Sequence, residues 1–375
     1  MWVRQGQKRA DACDVVVVGT GLVGAAVAAR LVREGLNTAV LEARTVAGGA
    51  TGRSAGMVLT GLAGHYNWAV SAYGRQQARE VWALTVEGRK RLVETAGRLE
   101  VPVEHTGSLA LAVEETEADA LKESAELLRE DGFDAWFGPN DPLGRGFRAA
   151  LRQPDDVTVD ATALTRALLT TSGVVVHERT EVYNLAPEPN GLRVWARGRT
   201  VFCNIVVLTV NGYASLFDSY FTDKVAPTRS LVLATGPLDI VTLKQPCCAN
   251  YGSEYCRQLP DRRLLLGGWR HPHTSGQETG QAAELGDVVQ DRLLRFASRY
   301  FPEVGTRNAS RWSGVMGFTP DGLPLVGQLP DLPQAYFAVG FGGRGLAWAF
   351  VVAERLVELM LRDANPGILA AERLT

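Results

Sequence analysis

The first strong pattern in the chain is a short apolar run, Asp14 to Val18, followed at once by Gly19-Thr20-Gly21-Leu22-Val23-Gly24. Val23, Val27 and Leu31 then recur at helical spacing, Gly35 closes that segment, and Asn37 to Leu41 forms a second apolar run ending at Glu42. An unbroken apolar run bounded by turn residues reads as a buried strand, and the i, i+4 recurrence reads as one face of a helix. The chain is thus predicted to open with strand, glycine turn, helix and strand.

Residues 66 to 130 are rich in Glu, Arg, Ala and Leu and read as helical, with a β-like interruption near Val101 to Val113. Val157 to Leu169 reads as an extended lead into a helix, and Val174 to Val176, Leu192 to Arg197 and Ile205 to Val210 read as strands. Ser230 to Ala234 and Arg263 to Gly268 predict a second sheet, followed by a charged helix over roughly 281 to 300. The last part holds Trp312 to Gly327, a strand at Ala335 to Val339, a glycine-rich turn at Gly340 to Gly345 and an apolar helix from Leu346 to Leu361. Strands and helices alternate over much of the chain, which is the pattern of an α/β fold.

A length of 375 residues suits two domains sharing a cleft. With 46% hydrophobic residues, 21% charged residues and a formal net charge of -2, no electrostatic footprint for nucleic acid or a membrane surface is present. The five cysteines form no CxxC pair and have no histidine at metal-ligand spacing, so neither a metal site nor a disulfide framework is predicted, and a cytoplasmic location is expected. No apolar run is long enough to predict an integral membrane segment, and the polar, basic residues before Cys13 lack the core of a signal peptide.

The glycines have separate mechanical tasks. Gly19 permits a tight turn, Gly21 lets a pyrophosphate approach the backbone, and Gly24 lets helix and strand pack closely. Thr20, Leu22 and Val23 complete a turn whose N–H groups face the phosphates at a positive helix end. Glu42 follows at about the 20-residue distance at which a carboxylate meets ribose hydroxyls, flanked by Ala43 and Arg44. This motif alone does not choose between FAD and NAD.

Past Glu42 comes Gly48-Gly49-Ala50-Thr51-Gly52-Arg53-Ser54-Ala55-Gly56-Met57-Val58, a segment with side chains too small for core, against which something flat or phosphate-rich is expected to lie. Later blocks are Val157-Thr158-Val159-Asp160, Val207 to Tyr213 with Asn211-Gly212, Thr319-Pro320-Asp321-Gly322-Leu323-Pro324-Leu325-Val326-Gly327, and Gly340-Phe341-Gly342-Gly343-Arg344-Gly345. In this order the blocks resemble the D-amino-acid oxidase superfamily, which includes glycine oxidase, monomeric sarcosine oxidase and gamma-glutamylputrescine oxidase.

The resemblance implies a Rossmann-type, glutathione-reductase-2-like FAD-binding domain (residues 12–78, 148–215 and 310–375) and an α+β substrate domain with an antiparallel sheet (79–147 and 216–309). It implies that FAD contacts the two glycine segments (Gly19 to Gly24, and Gly49 to Thr51 with Arg53 to Met57), Glu42 to Arg44, Val182, Asn211, Gly212, Gly314 and Gly342 to Ala347. The implied reaction is hydride transfer from the α-carbon of a small amine or amino acid to the flavin, giving an imine that hydrolyses, with O2 as acceptor. The alternative is an FAD subunit passing electrons to a partner.

Several family positions are altered. Gly314 stands where sarcosine oxidase tethers its flavin through cysteine, and Gly49 to Val58 holds no histidine, so FAD is expected to be non-covalent. Met316 replaces the carboxylate-binding arginine of glycine oxidase, Ala347 a carboxylate-binding lysine, and Leu265 the lysine that promotes oxygen activation. Arg53, Arg270 and Arg344 are the arginines left to hold an anion, with flavin contact as the other role of Arg53, and at least one of Trp269, Met316 and Trp348 is expected to line the cavity. A glycine turn opening the last helix would also stabilise negative charge on a reduced flavin.

Overall fold

The computed structural model describes residues 11–268, 284–304 and 309–374. Its first sheet has eight strands. Asp11–Val18 lies at the centre, parallel to Arg199–Leu208 on one side and to Thr38–Leu41 on the other. Val175–His177 extends it beyond Thr38–Leu41, and Leu332–Val339 joins in parallel along Arg199–Leu208. Antiparallel strands Val182–Glu188, Gly191–Ala196 and Leu325–Leu329 complete the sheet.

The central strand shows why its sequence is apolar throughout. Val15 and Val17 pack in one core with helices Leu22–Arg33, Ala161–Ser172 and Gly345–Arg362, while Val16 and Val18 enter a second core with Leu192, Val194, Phe221 and Phe337. Strand side chains alternate faces, so a sheet covered on both sides needs hydrophobic residues at every position. Gly35, at φ 84°, ends the first helix as its spacing predicts, and Asp160 caps Ala161–Ser172 by accepting the Thr162 and Ala163 amides at 2.9 Å.

The second sheet also has eight strands, in the spatial order Ser310–Phe318, Ala226–Pro237, Arg263–Gly268, Glu254–Gln258, Cys247–Ala249, Ser108–Ala112, Ala149–Gln153 and Trp136–Gly138. Its pairs are antiparallel except Cys247–Ala249 with Ser108–Ala112. Leu111, Leu233, Leu264 and Leu266 pack on one face with Phe296, Tyr300 and Phe301 from helix Glu284–Tyr300 and its end. Met57–Val58, Val157–Val159 and Val103–Glu104 form a small third sheet.

Two boundaries expected from the sequence run beside strands of the second sheet. Ala149–Gln153 and Ser310–Phe318, assigned to the first unit by limits at 148 and 310, complete ladders in the second sheet. Conversely, helix Arg75–Arg98, mostly placed in the second unit, lies against the C-terminal helix of the first. Gly88 allows this, because a Cβ there would stand 1.8 Å from the Ala347 carbonyl oxygen. Strands and helices belong to the neighbours they satisfy, and their own residues do not name those neighbours.

Candidate functional site

A cavity of about 750 Å³ opens at the carboxyl ends of the central parallel strands, where Val18, Leu41, Glu42 and Thr209 line it. Open α/β sheets place ligands at this edge. It continues between the two sheets to Ser230, Val232, Cys248, Tyr255 and Met316, so both units wall it.

The first glycine turn is built by close backbone approach. Gly19 has φ 103°, and a Cβ on Gly24 would lie 2.2 Å from the Gly19 oxygen and 2.6 Å from Thr209 Oγ1. Gly24 therefore does its work beneath the turn and does not line the cavity, whereas Gly19, Thr20, Gly21, Leu22 and Val23 do. Gly21 caps the helix without a side chain, and Thr51 from the second glycine segment accepts the Leu22 amide at 3.1 Å. The two glycine segments are thereby tied together.

Glu42 is buried and lines the cavity beside Ala43 and Arg44. Its Oε2 accepts the Thr20 amide at 2.9 Å and the Thr20 hydroxyl at 2.7 Å, and Oε1 accepts the Arg44 amide at 2.8 Å. The carboxylate thus fixes the shape of the turn. Arg44 lies over the Tyr213 ring, 5.4 Å from its centroid, and both line the cavity, as does Val182.

In the second segment Gly49, Ala50, Thr51, Arg53, Ser54, Ala55 and Met57 line the cavity. Gly56, at φ 69°, lies behind them, where a Cβ would meet the Val159 oxygen at 2.1 Å. Arg53 donates Nη1 to the Ser313 carbonyl at 2.7 Å, while Trp312 Nε1 donates to the Arg53 carbonyl at 3.0 Å. Its guanidinium is thus partly committed to holding the Ser310–Phe318 strand. Gly314 and Met316 of that strand face the cavity.

Asn211 binds the third block to the last. From a backbone at φ 48°, its Oδ1 accepts the Gly340 and Phe341 amides at 3.1 and 3.4 Å. Gly212 packs on Met316, with room for no Cβ, and Gly342 donates its amide to the Gly317 carbonyl at 3.0 Å. Neither glycine lines the cavity, while Asn211, Gly343, Arg344, Gly345 and Leu346 do; Ala347 faces Gly88 instead. Arg344 is the cap of helix Gly345–Arg362, and its side chain makes no hydrogen bond or ion pair among the described residues.

Trp269 and Arg270 lie outside the described residues. Leu265 is buried among Ala55, Ala234, Met57, Tyr255 and Trp312. Asp321 stands away from the cavity: Arg373 holds it at 2.6 and 3.2 Å, and it accepts the Leu323 amide. Sequence reasoning missed Tyr213, Cys248 and Tyr255. The signal for the last two is positional, since Cys248 and Tyr255 are opposite each other in one hairpin and share a face.

A cradle packed too tightly for a Cβ beneath its turns at Gly24 and Gly56, a buried acid and a long cavity reaching the second sheet fit a dinucleotide whose reactive end lies between the units. The model of the family described as FAD dependent oxidoreductase, DAO, matches residues 14–359. The chain belongs to this FAD-dependent oxidoreductase family. Its cofactor is FAD, and Gly314 offers no thiol to the cavity. This oxidoreductase is 25% identical to glycine oxidase of Geobacillus kaustophilus over 96% of both chains. It is 26% identical to gamma-glutamylputrescine oxidoreductase of Escherichia coli over 94% of its own length and 84% of that protein. The crystal structure of the Geobacillus glycine oxidase superposes with a TM-score of 0.76 at 24% identity, covering 94% of this chain and 95% of that one. Among the described residues of the oxidoreductase, no helix is long and apolar enough to cross a membrane.

Proposed function

We propose that this enzyme oxidises a C–N bond of a small amine or N-substituted amino acid to an imine, which water hydrolyses, with O2 as electron acceptor and H2O2 as product. The observation that carries this reading is Arg344: a guanidinium in the cavity wall, at the start of a helix, without an internal partner among the described residues. Such a group recognises an anionic substituent by charge-assisted hydrogen bonds. Two relatives carry names that place their reactions on amino compounds, glycine and gamma-glutamylputrescine.

In this reading Gly19 to Val23 face the pyrophosphate and Glu42 the ribose, with Thr51 and Asn211 holding the cradle in shape. Bound FAD supplies the two-electron acceptor. Val232, Tyr255 and Met316 wall the substrate end, excluding water and orienting the reacting carbon. Met316 cannot supply a forked anion contact, so the grip on substrate shifts to Arg344.

A second reading, transfer of electrons to a protein or quinone partner in place of O2, is favoured by Leu265, which is buried among apolar side chains and contributes no positive charge. Anaerobic addition of sarcosine, N-alkyl glycines, proline, D-amino acids and simple amines tests both. Bleaching of the flavin band followed by rapid recovery in air supports the oxidase. Bleaching with slow recovery supports the partner-linked reading, and no bleaching by any compound overturns amine oxidation.

A further inference from the structure

The hairpin that brings Cys248 and Tyr255 to the cavity has a second face. Cys247 and Cys256 are directly opposite each other in its antiparallel ladder, one position from Cys248 and Tyr255, so their side chains point the other way, into the core of the second sheet. Both are fully buried, and their sulfurs stand 2.6 Å apart. Directly opposed residues of an antiparallel pair have Cα atoms within the range that a disulfide spans. The flavin chemistry uses neither thiol.

We propose that Cys247 and Cys256 are a modification site at which hydrogen peroxide forms an intrachain disulfide, stapling the hairpin behind the cavity wall. One sulfur attacks the peroxide O–O bond, becoming a sulfenic acid as the first water leaves. The second sulfur displaces the sulfenic hydroxyl, which departs with the remaining thiol proton as the second water. The two thiols lose two electrons and two hydrogens, and the peroxide is reduced to two waters.

Burial, with Cys247 beside it, pushes the Cys256 thiol well above its ordinary range, so the closed hairpin holds a protonated thiol that reacts slowly. Oxidation therefore proceeds through opening of the hairpin, whose turn places Asn250, Tyr251 and Gly252 consecutively at φ 52°, 54° and 74°. Two of these are not glycine, which makes this turn a costly stretch of backbone. Once formed, the cross-link is shielded by the same burial and fixes the strands that carry Cys248 and Tyr255.

The test is to expose the folded holoprotein to hydrogen peroxide, remove the peroxide with catalase, denature, alkylate and map the cysteines. Cys247 and Cys256 are expected to lose alkylation together, to appear in one cross-linked peptide, and to return after dithiothreitol. The oxidation rate is expected to level off at high peroxide as hairpin opening becomes limiting, and the oxidised protein to melt at a higher temperature. Cys248→Ser is expected to keep the cross-link, and Cys247→Ala to abolish the peroxide-induced rise in melting temperature. Full alkylation of both cysteines after prolonged treatment, or oxidation of either one singly to a sulfinic acid, overturns the proposal. Persistence of the melting shift in Cys247→Ala overturns the stapling. If that variant does not fold, the peptide map of the unaltered chain decides.

Discussion

Asn211 reaches across 129 positions of sequence to accept the Gly340 amide at 3.1 Å, and it does so from a left-handed backbone at φ 48°. The contact joins the turn after Arg199–Leu208 to the turn that opens the last helix. Replacing it by alanine leaves two backbone donors without their acceptor, at a cost of about 1–3 kcal/mol. Asn211→Ala is expected to unfold at lower urea and to retain less flavin through gel filtration, whereas Asn211→Asp, which keeps the oxygen, loses less. Equal behaviour of the two variants counts against the bond.

Glu42 organises the first turn through three hydrogen bonds before any ribose contact is considered. Glu42→Ala is expected to weaken flavin binding by more than it lowers stability, because the Thr20 and Arg44 amides are released at the mouth of the cradle. Fluorimetric titration of apoprotein with FAD, beside urea melts of the same apoprotein, separates the two effects. An unchanged dissociation constant removes Glu42 from the cofactor site.

Arg344 gives a prediction about selectivity. A hydrogen bond to a charged group contributes about 1.5–3 kcal/mol, which corresponds to roughly one to two orders of magnitude in binding. Arg344→Met is expected to raise KM by that factor for carboxylate-bearing amines and to leave simple amines nearly unaffected. A uniform loss across both classes, measured by anaerobic flavin bleaching, places Arg344 at the cofactor and not at the substrate.

The sequence features that proved legible were those the backbone dictates locally. Gly19 and Gly35, both at positive φ, stand where a turn and a helix end require them, and the apolar run at Val15 to Val18 needs no partner to declare itself buried on both faces. Strands Cys247–Ala249 and Glu254–Gln258 are not singled out within the strand-like stretch from 225 to 270, because the first is only three residues long and the second mixes apolar with charged and polar residues. Val182–Glu188 was missed because much of it is exposed and polar. Tyr255 and Cys248 became cavity residues only through ladder pairing, which sets the face a side chain takes but leaves little trace in so few residues. The Ser310–Phe318 strand, just past the expected end of the second unit at 309, takes its place through the same kind of register, with Ala226–Pro237.

Asp321 supplies a pH test away from the chemistry. Burial pushes its carboxyl up, but the hydrogen bond and charge of Arg373 outweigh burial and hold it below the usual carboxylate range. A depressed folded-state pKa contributes stability that is present above the unfolded value, about 3.9, and is lost as pH falls through the folded value. Asp321→Asn is therefore expected to melt lower than the unaltered chain at neutral pH, with the difference shrinking below about pH 4. A difference that stays constant through the acid range means that the ion pair with Arg373 contributes nothing.

The cavity wall draws on residues from Val18 to Leu346. A nascent chain that has released only Asp11–Leu41 from the ribosome holds the first glycine turn but lacks the opposite wall, so the cleft is complete only after helix Gly345–Arg362 has emerged. Contacts this distant in sequence form slowly, and until they do the two faces of the cleft are open apolar surface. Free FAD would then act as a folding ligand, drawing the late-arriving segments onto the early ones by mass action.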